Sequence, residues 1–219
     1  MKQVDISVKI AKYAYGTYGV IWIIVLLWGI IVNRYLGITS IEDIDNGRLI
    51  LQLVKDKPLI LFFPSFDFVL GLSLIVAVTA QSTLLEQGIW NSLQKYFGLF
   101  AGLLFVYGAY SRVTTFTMLS ANTRLDVNME SFGYDIVNYI QYGNSFAVQC
   151  FLSLWLLVLH GEAKRLNIIN KWIFYLAILG GITGLLAILI KPFAVLLIAS
   201  NIITSFFWFS HYKREFKNE

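Results

Sequence analysis

Asp67 and Arg112 demand an explanation before any other residues of this sequence, because each is an ionisable side chain set inside a long apolar run. A charge facing hydrocarbon costs several kcal/mol unless it finds a partner, so both must look into a protein interior. Asp67, Gly71, Leu74, Val78 and Gln81 follow a 4-3-4-3 spacing, which puts them on one face of a helix. That face is expected to point inward. If the helix opens at Pro58, Asp67 sits ~13 Å below one membrane surface, and Arg112 sits ~9 Å below the same surface at the end of the following run. Asn138, Gln141 or Tyr142, Ser145 and Gln149 then draw a polar stripe along a further helix, at spacings near 3-4-4. With Thr114 and Thr115 beside Arg112, one membrane half gathers an acid, a base, amides and hydroxyls. Such a set can bind a small polar or anionic molecule, or pass a proton. The plainer alternative is that Asp67 and Arg112 neutralise each other while the amides tie helices together.

Other chemistry finds fewer of its parts. His160 and His211 are the two histidines, both at expected helix ends, where an interfacial structural role competes with axial ligation of a haem. Cys150 is the single cysteine, which excludes an intramolecular disulfide and a thiolate metal cluster. No metal site and no cofactor are implied. The sequence contains no GxSxG, HExxH, P-loop or dinucleotide fingerprint, so familiar hydrolase, zinc-protease and nucleotide chemistry lack their required residues. An enzyme acting on lipid or isoprenoid remains a third option, with Asp67 and Asp135 as its first acid–base candidates.

These residues need helices to hold them, and the composition calls for a bundle dissolved in lipid. Of 219 residues 58% are hydrophobic and 14% charged, against roughly a quarter charged in soluble domains. Six apolar runs approach the ~20 residues that cross a bilayer: Tyr13–Val32, Leu59–Ser82, Tyr96–Met118, Ile136–Leu159, Trp172–Ile190 and Phe193–Ser210. Lys191 and Pro192 separate the last two. The first run is too long for a signal peptide, and no small-residue cleavage site follows it. The expected fold is therefore all-α, a polytopic transmembrane helical bundle of about six spans forming a single domain over residues 1–219. Ten of the 17 Lys and Arg residues fall on the segments that share a side with the N-terminus. By the positive-inside rule both termini are expected in the cytoplasm. The net charge of +4 is spread over segment ends, which speaks for topology and against a nucleic-acid partner.

Between the runs, Asp45 or Asn46 can cap a short surface helix with Leu49, Ile50 and Leu53 along one side. Residues 124–130 alternate polar and apolar, which suits an extended segment. Both stretches also read as plain solvated connectors. Gly98 with Gly102, and Gly180 with Gly184, form GxxxG pairs that let a neighbouring backbone approach, in this chain or in another copy. Trp90, Tyr96, Trp172, Trp208 and Tyr212 lie near expected ends, as an interfacial aromatic belt would.

From Asn46 to about Leu186 the order of parts resembles the DUF4386 group of bacterial six-span membrane proteins. Two stretches carry the resemblance: NGRLILQLVKDKPLILFFPSFDFVLGLSLIVAV, and YGNSFAVQCFLSLWLLVLHGEAKRLNIINKWIFYLAILGGITGLL. The second is similar to the group's polar helix start, apolar helix, short basic turn and glycine-bearing helix. It departs from the group where Asn170, Lys171 and Trp172 replace the usual proline and Trp-Leu-Gly of the turn. The resemblance implies a multi-pass protein of a bacterial plasma membrane and carries no activity. The partners expected are thus the lipid bilayer, a small polar or anionic ligand, and a second copy or a larger membrane complex that the chain would anchor.

Overall fold

A computed structural model of the chain describes residues 2–36, 63–121, 127–187 and 189–215. The described residues form α1 (Lys2–Leu36), α2 (Phe63–Ser82), α3 (Ile89–Ala121), α4 (Val127–Arg165), α5 (Lys171–Leu186), a 3-10 turn (Lys191–Phe193) and α6 (Ala194–Glu215), with no strand among them. Five of the helices are long and apolar enough to cross a membrane. The sixth, α5, is an apolar helix of 16 residues, ~24 Å long at 1.5 Å per residue. It stops at Leu186, short of the expected Ile190. Ala187 closes it by donating to Thr183 O, and the Lys191–Phe193 turn then reverses the chain where Pro192 was expected to do so. The proposed helix over Asp45–Leu53, and Pro58 itself, lie outside the described residues.

Each helix packs on its neighbours in sequence, and α6 closes back onto α1. The contacts run in opposite directions along every pair. Tyr15 meets Gln81 while Trp28 meets Phe66, and Gly16 faces Phe209 while Gly19 faces Phe206. The result is an up-and-down ring in which Tyr15 of α1 stacks on Tyr212 of α6, so the start of α1 and the end of α6 lie at one end of the bundle. Outward-facing positions such as Val20, Leu27, Leu72, Leu103, Leu179 and Ile203 are apolar and exposed. An apolar exterior on a helical bundle with closed backbone hydrogen bonding is what lipid requires. The chain is built as an integral, multi-pass membrane protein.

Local sequence signals set the α4–α5 corner. Asn167 has φ 57°, the left-handed conformation that ends a helix, and Ile168 N donates back to Ala163 O at 2.9 Å. Asn170 then caps α5 by accepting from Ile173 N at 3.0 Å. At the same end of the bundle Arg165 bridges Glu162 at 2.7 Å and Glu86 at 3.1 Å.

Two expectations are corrected. Residues 127–130 are the start of α4 and not an extended segment. A period of two over four residues is too short to outweigh the apolar helix it leads into. Trp208 and Tyr212 are not belt residues either: they are 1% and 3% exposed, in the core. Being near a helix end places an aromatic in depth but not on a face. Trp90, Tyr96 and Trp172 are exposed near helix starts.

Candidate functional site

The two halves of the ring are filled differently. In the half nearest the termini, Tyr15 stacks between Trp155 and Trp208, and Tyr18 meets Trp155 edge-on. Several polar groups inside this plug are paired, while Gln81 Nε2 and Trp155 Nε1 are buried there without a hydrogen-bond partner. The Tyr15 hydroxyl donates to Gln81 Oε1, the Tyr18 hydroxyl donates to Asn201 Oδ1 at 3.2 Å, and Asn201 Nδ2 donates to Leu197 O. His160 is fully buried there. Its Nδ1 lies 2.9 Å from Leu156 O, which can only accept, so the proton is on Nδ1. Its Nε2 accepts from Trp208 Nε1 at 3.3 Å. Both ring nitrogens are thereby engaged, which leaves no lone pair for the iron of a haem. Among the described residues no group of three His, Cys, Asp or Glu side chains is gathered for a metal. Trp208→Phe removes the donor and also the five-membered ring of a buried indole, so it is expected to cost about 2–3 kcal/mol from the lost hydrogen bond and the cavity together. A thermal midpoint equal to that of the parent protein would show that Trp208 is not packed in this core.

In the half remote from the termini the lumen is not filled. A cavity of about 190 Å³ lies there, lined by residues of α1, α2, α3, α4 and α6. Trp22, Phe105, Leu152 and Leu197 supply apolar wall. Asp67, Arg112, Asn144, Ser145 and Gln149 supply its polar groups. Trp22 touches both regions, edge-on to Tyr18 and to Phe105.

Asp67 comes to the cavity because its face of α2 is the inward one: Leu74, Val78 and Gln81, on the same row, are fully buried. Arg112 lines it one turn beyond Gly108, with Phe105 a further turn away, so Phe105, Gly108 and Arg112 form an i, i+3, i+7 row on α3. Arg112 Nη1 donates to Asp67 Oδ2 at 2.9 Å, and the two side chains are 29% and 15% exposed. What fixes this pairing is the approach of α2 to α3 where Gly71, one turn from Asp67, meets Gly102, nearly three turns from Arg112. A Cβ on Gly102 would lie 2.9 Å from Gly71 O, so two glycine backbones make the contact. Gly98 continues the seam against Val78 and Trp155.

Of the residues singled out from sequence, Asp67, Arg112, Ser145 and Gln149 meet on this cavity wall. Thr115 does not. It is half-buried one turn nearer the end of α3, past the wall. Asn138 and Gln141 fall on α4, but their side chains lie outside those described. Asn144 and Trp22 were missed. Asn144 adjoins Ser145 on the row that continues to Val148 and Leu152 by steps of four, so the same helical count could have found it. Its Nδ2 donates to Leu104 O at 3.1 Å, while its Oδ1 is buried and accepts no hydrogen bond. Nothing in the sequence marks Trp22 apart from its central place in the first span.

The glycine pairs are used inside the chain. Gly180 faces Ser200 of α6, Gly184 faces Ser153 of α4 and Leu197 of α6, and Gly181 between them faces Leu157. The short α5 is thereby wedged between α4 and α6, with its small-residue face covered.

No family model matches the chain, and no curated protein or solved structure matches it.

Proposed function

We propose that the protein binds a small polar molecule in the cavity between α1, α2, α3, α4 and α6, as a binding protein or carrier of the cell membrane with both termini in the cytoplasm. The observation that carries this reading is an acid–base pair on the wall of an unfilled space, in a bundle whose other half is packed solid with aromatic rings. A pair kept only for packing would sit as well in a filled interior, where apolar residues of the same volume are often equally stable. An ion pair beside a cavity lets a ligand compete for either charge. The two GxxxG faces are covered within the chain, so they are not available to the assembly-subunit alternative as contact surfaces.

Cysteine labelling tests the cavity directly. In a Cys150→Ala background, Ser145→Cys is expected to react with a membrane-impermeant thiol reagent applied from one side only. Ser153→Cys, fully buried beside Gly184, is expected to stay unreactive. An inert Ser145→Cys, or equal reactivity at the two positions, would remove the basis for a ligand site. A reporter fused to the C-terminus and found outside the cell would overturn the orientation alone.

A further inference from the structure

We infer that the molecule this cavity accepts is a compact zwitterion with an apolar body, one that carries an ammonium and a carboxylate together. The assignment rests on the ligand-binding reading above and adds the ligand's charge.

The geometry of the pair limits what can enter. Arg112 Nη1 and Asp67 Oδ2 are 2.9 Å apart, closer than the size of most charged groups. A lone anion brought to Arg112 therefore also lies against Asp67, and its attraction and repulsion nearly cancel. To bind well it would have to displace the carboxylate and leave it buried without a partner, which is the costly outcome for any buried pair. A lone cation meets the mirror-image problem at Asp67. A zwitterion does not. Its carboxylate can take donors from the guanidinium while its ammonium lies beside the Asp67 carboxylate, so every charge in the four-membered array has an opposite neighbour and the net charge of the site is unchanged.

The remaining wall agrees with this chemistry. An ammonium has three N–H groups and needs more acceptors than one carboxylate oxygen supplies. Asn144 Oδ1, buried and accepting no hydrogen bond, is an acceptor on the same wall. Ser145 and Gln149 add donors for the carboxylate. Trp22, Phe105, Val148, Leu152, Leu197 and Ile198 make the rest of the surface apolar, which suits a hydrocarbon side group. The volume sets the size. About 190 Å³ is room for on the order of six liquid waters, so the ligand is small.

Four probes of one shape and different charge test the assignment on the full chain in lipid nanodiscs: leucine, its anionic N-acetyl derivative, its cationic amide, and the neutral N-acetyl amide. Thermal midpoint and tryptophan fluorescence, to which Trp22 contributes, read the response. Leucine is expected to raise the midpoint and to bind about tenfold or more tightly than the other three. Asp67→Asn is expected to move the preference to N-acetyl-leucine, and Arg112→Gln to leucinamide. Equal or tighter binding of either singly charged probe by the unmodified protein overturns the zwitterion and leaves the cavity as a ligand site. No response to any probe up to about 10 mM overturns the zwitterion as well, and the reactivity of Ser145→Cys then decides whether the cavity reading falls with it.

Discussion

A chain carrying Gly71→Val is expected to be destabilised in mild detergent by about 3 kcal/mol, at least as much as any substitution on the cavity wall. A Cβ at position 71 would run into Gly102 O, with Val106 Cγ2 at 2.8 Å and Phe105 Cβ at 3.0 Å. Two of these obstacles are side chains, but the first is backbone, and a helix cannot change rotamer to make room. The α2–α3 contact would have to open along its length. Overpacking in a core costs about 1–3 kcal/mol when side chains can give; against backbone the upper end is the expected value. The damage would also reach the site, because this seam lies one turn from Asp67 and sets its distance to Arg112. Gly143→Ala is the matched control. Nothing lies within 4 Å of where its Cβ would go, and position 143 is exposed on α4. Alanine there is expected to be neutral or to gain up to ~1 kcal/mol of helix propensity. Fluorescence-detected size exclusion after a heat step compares the two. Gly71→Val melting within a degree or two of Gly143→Ala would show that α2 and α3 are not held together here.

The difference between these two glycines was not visible in the letters. Gly98 and Gly102 announced themselves by their GxxxG spacing, yet Gly71, which makes the closest backbone approach to Gly102, has no such partner in its own helix. A spacing rule finds small residues that recur on one helix, whereas a close contact needs one small residue on each of two. The same limit runs through the rest of the structure. Helix existence followed from apolar length, because a segment that must satisfy its backbone in lipid has almost no alternative to a helix. Which way each helix turns is a property of pairs. Asp67 could be turned inward from sequence because an unpaired carboxylate excludes the outward choice, and Ser145 and Gln149 followed from amide and hydroxyl spacing. Trp208 and Tyr212 carried no such constraint, since an indole or phenol is equally at home in the headgroup region and in a core that offers a partner. His160 supplied that partner, 48 residues away in the chain. The unfilled half-lumen was beyond sequence altogether. Its existence depends on five helices together leaving a volume that no one of them encodes.

Arg112→Leu is expected to destabilise the protein by about 2–3 kcal/mol, and adding Asp67→Leu is expected to return most of that loss. Removing one member of a fully buried pair costs about 3–5 kcal/mol, since it strands a charge. Here the side chains keep 29% and 15% of their exposure, so the stranded Asp67 carboxylate retains some hydration and the figure falls toward that of a single charged hydrogen bond. With both charges gone nothing is stranded, and leucines lining an apolar wall fill part of the cavity. The double-mutant cycle should therefore show strong coupling, on the order of 2 kcal/mol, read as thermal midpoints of the parent, both single variants and the double. Additive losses would mean that the two side chains do not meet in the membrane. The cycle also separates the two roles such a pair can have. If it serves packing alone, the double variant recovers stability and every other property of the parent protein. If it holds a ligand, the double variant recovers stability while its thermal response to leucine is abolished, because among the described residues Asp67 and Arg112 are the charged side chains that line the cavity.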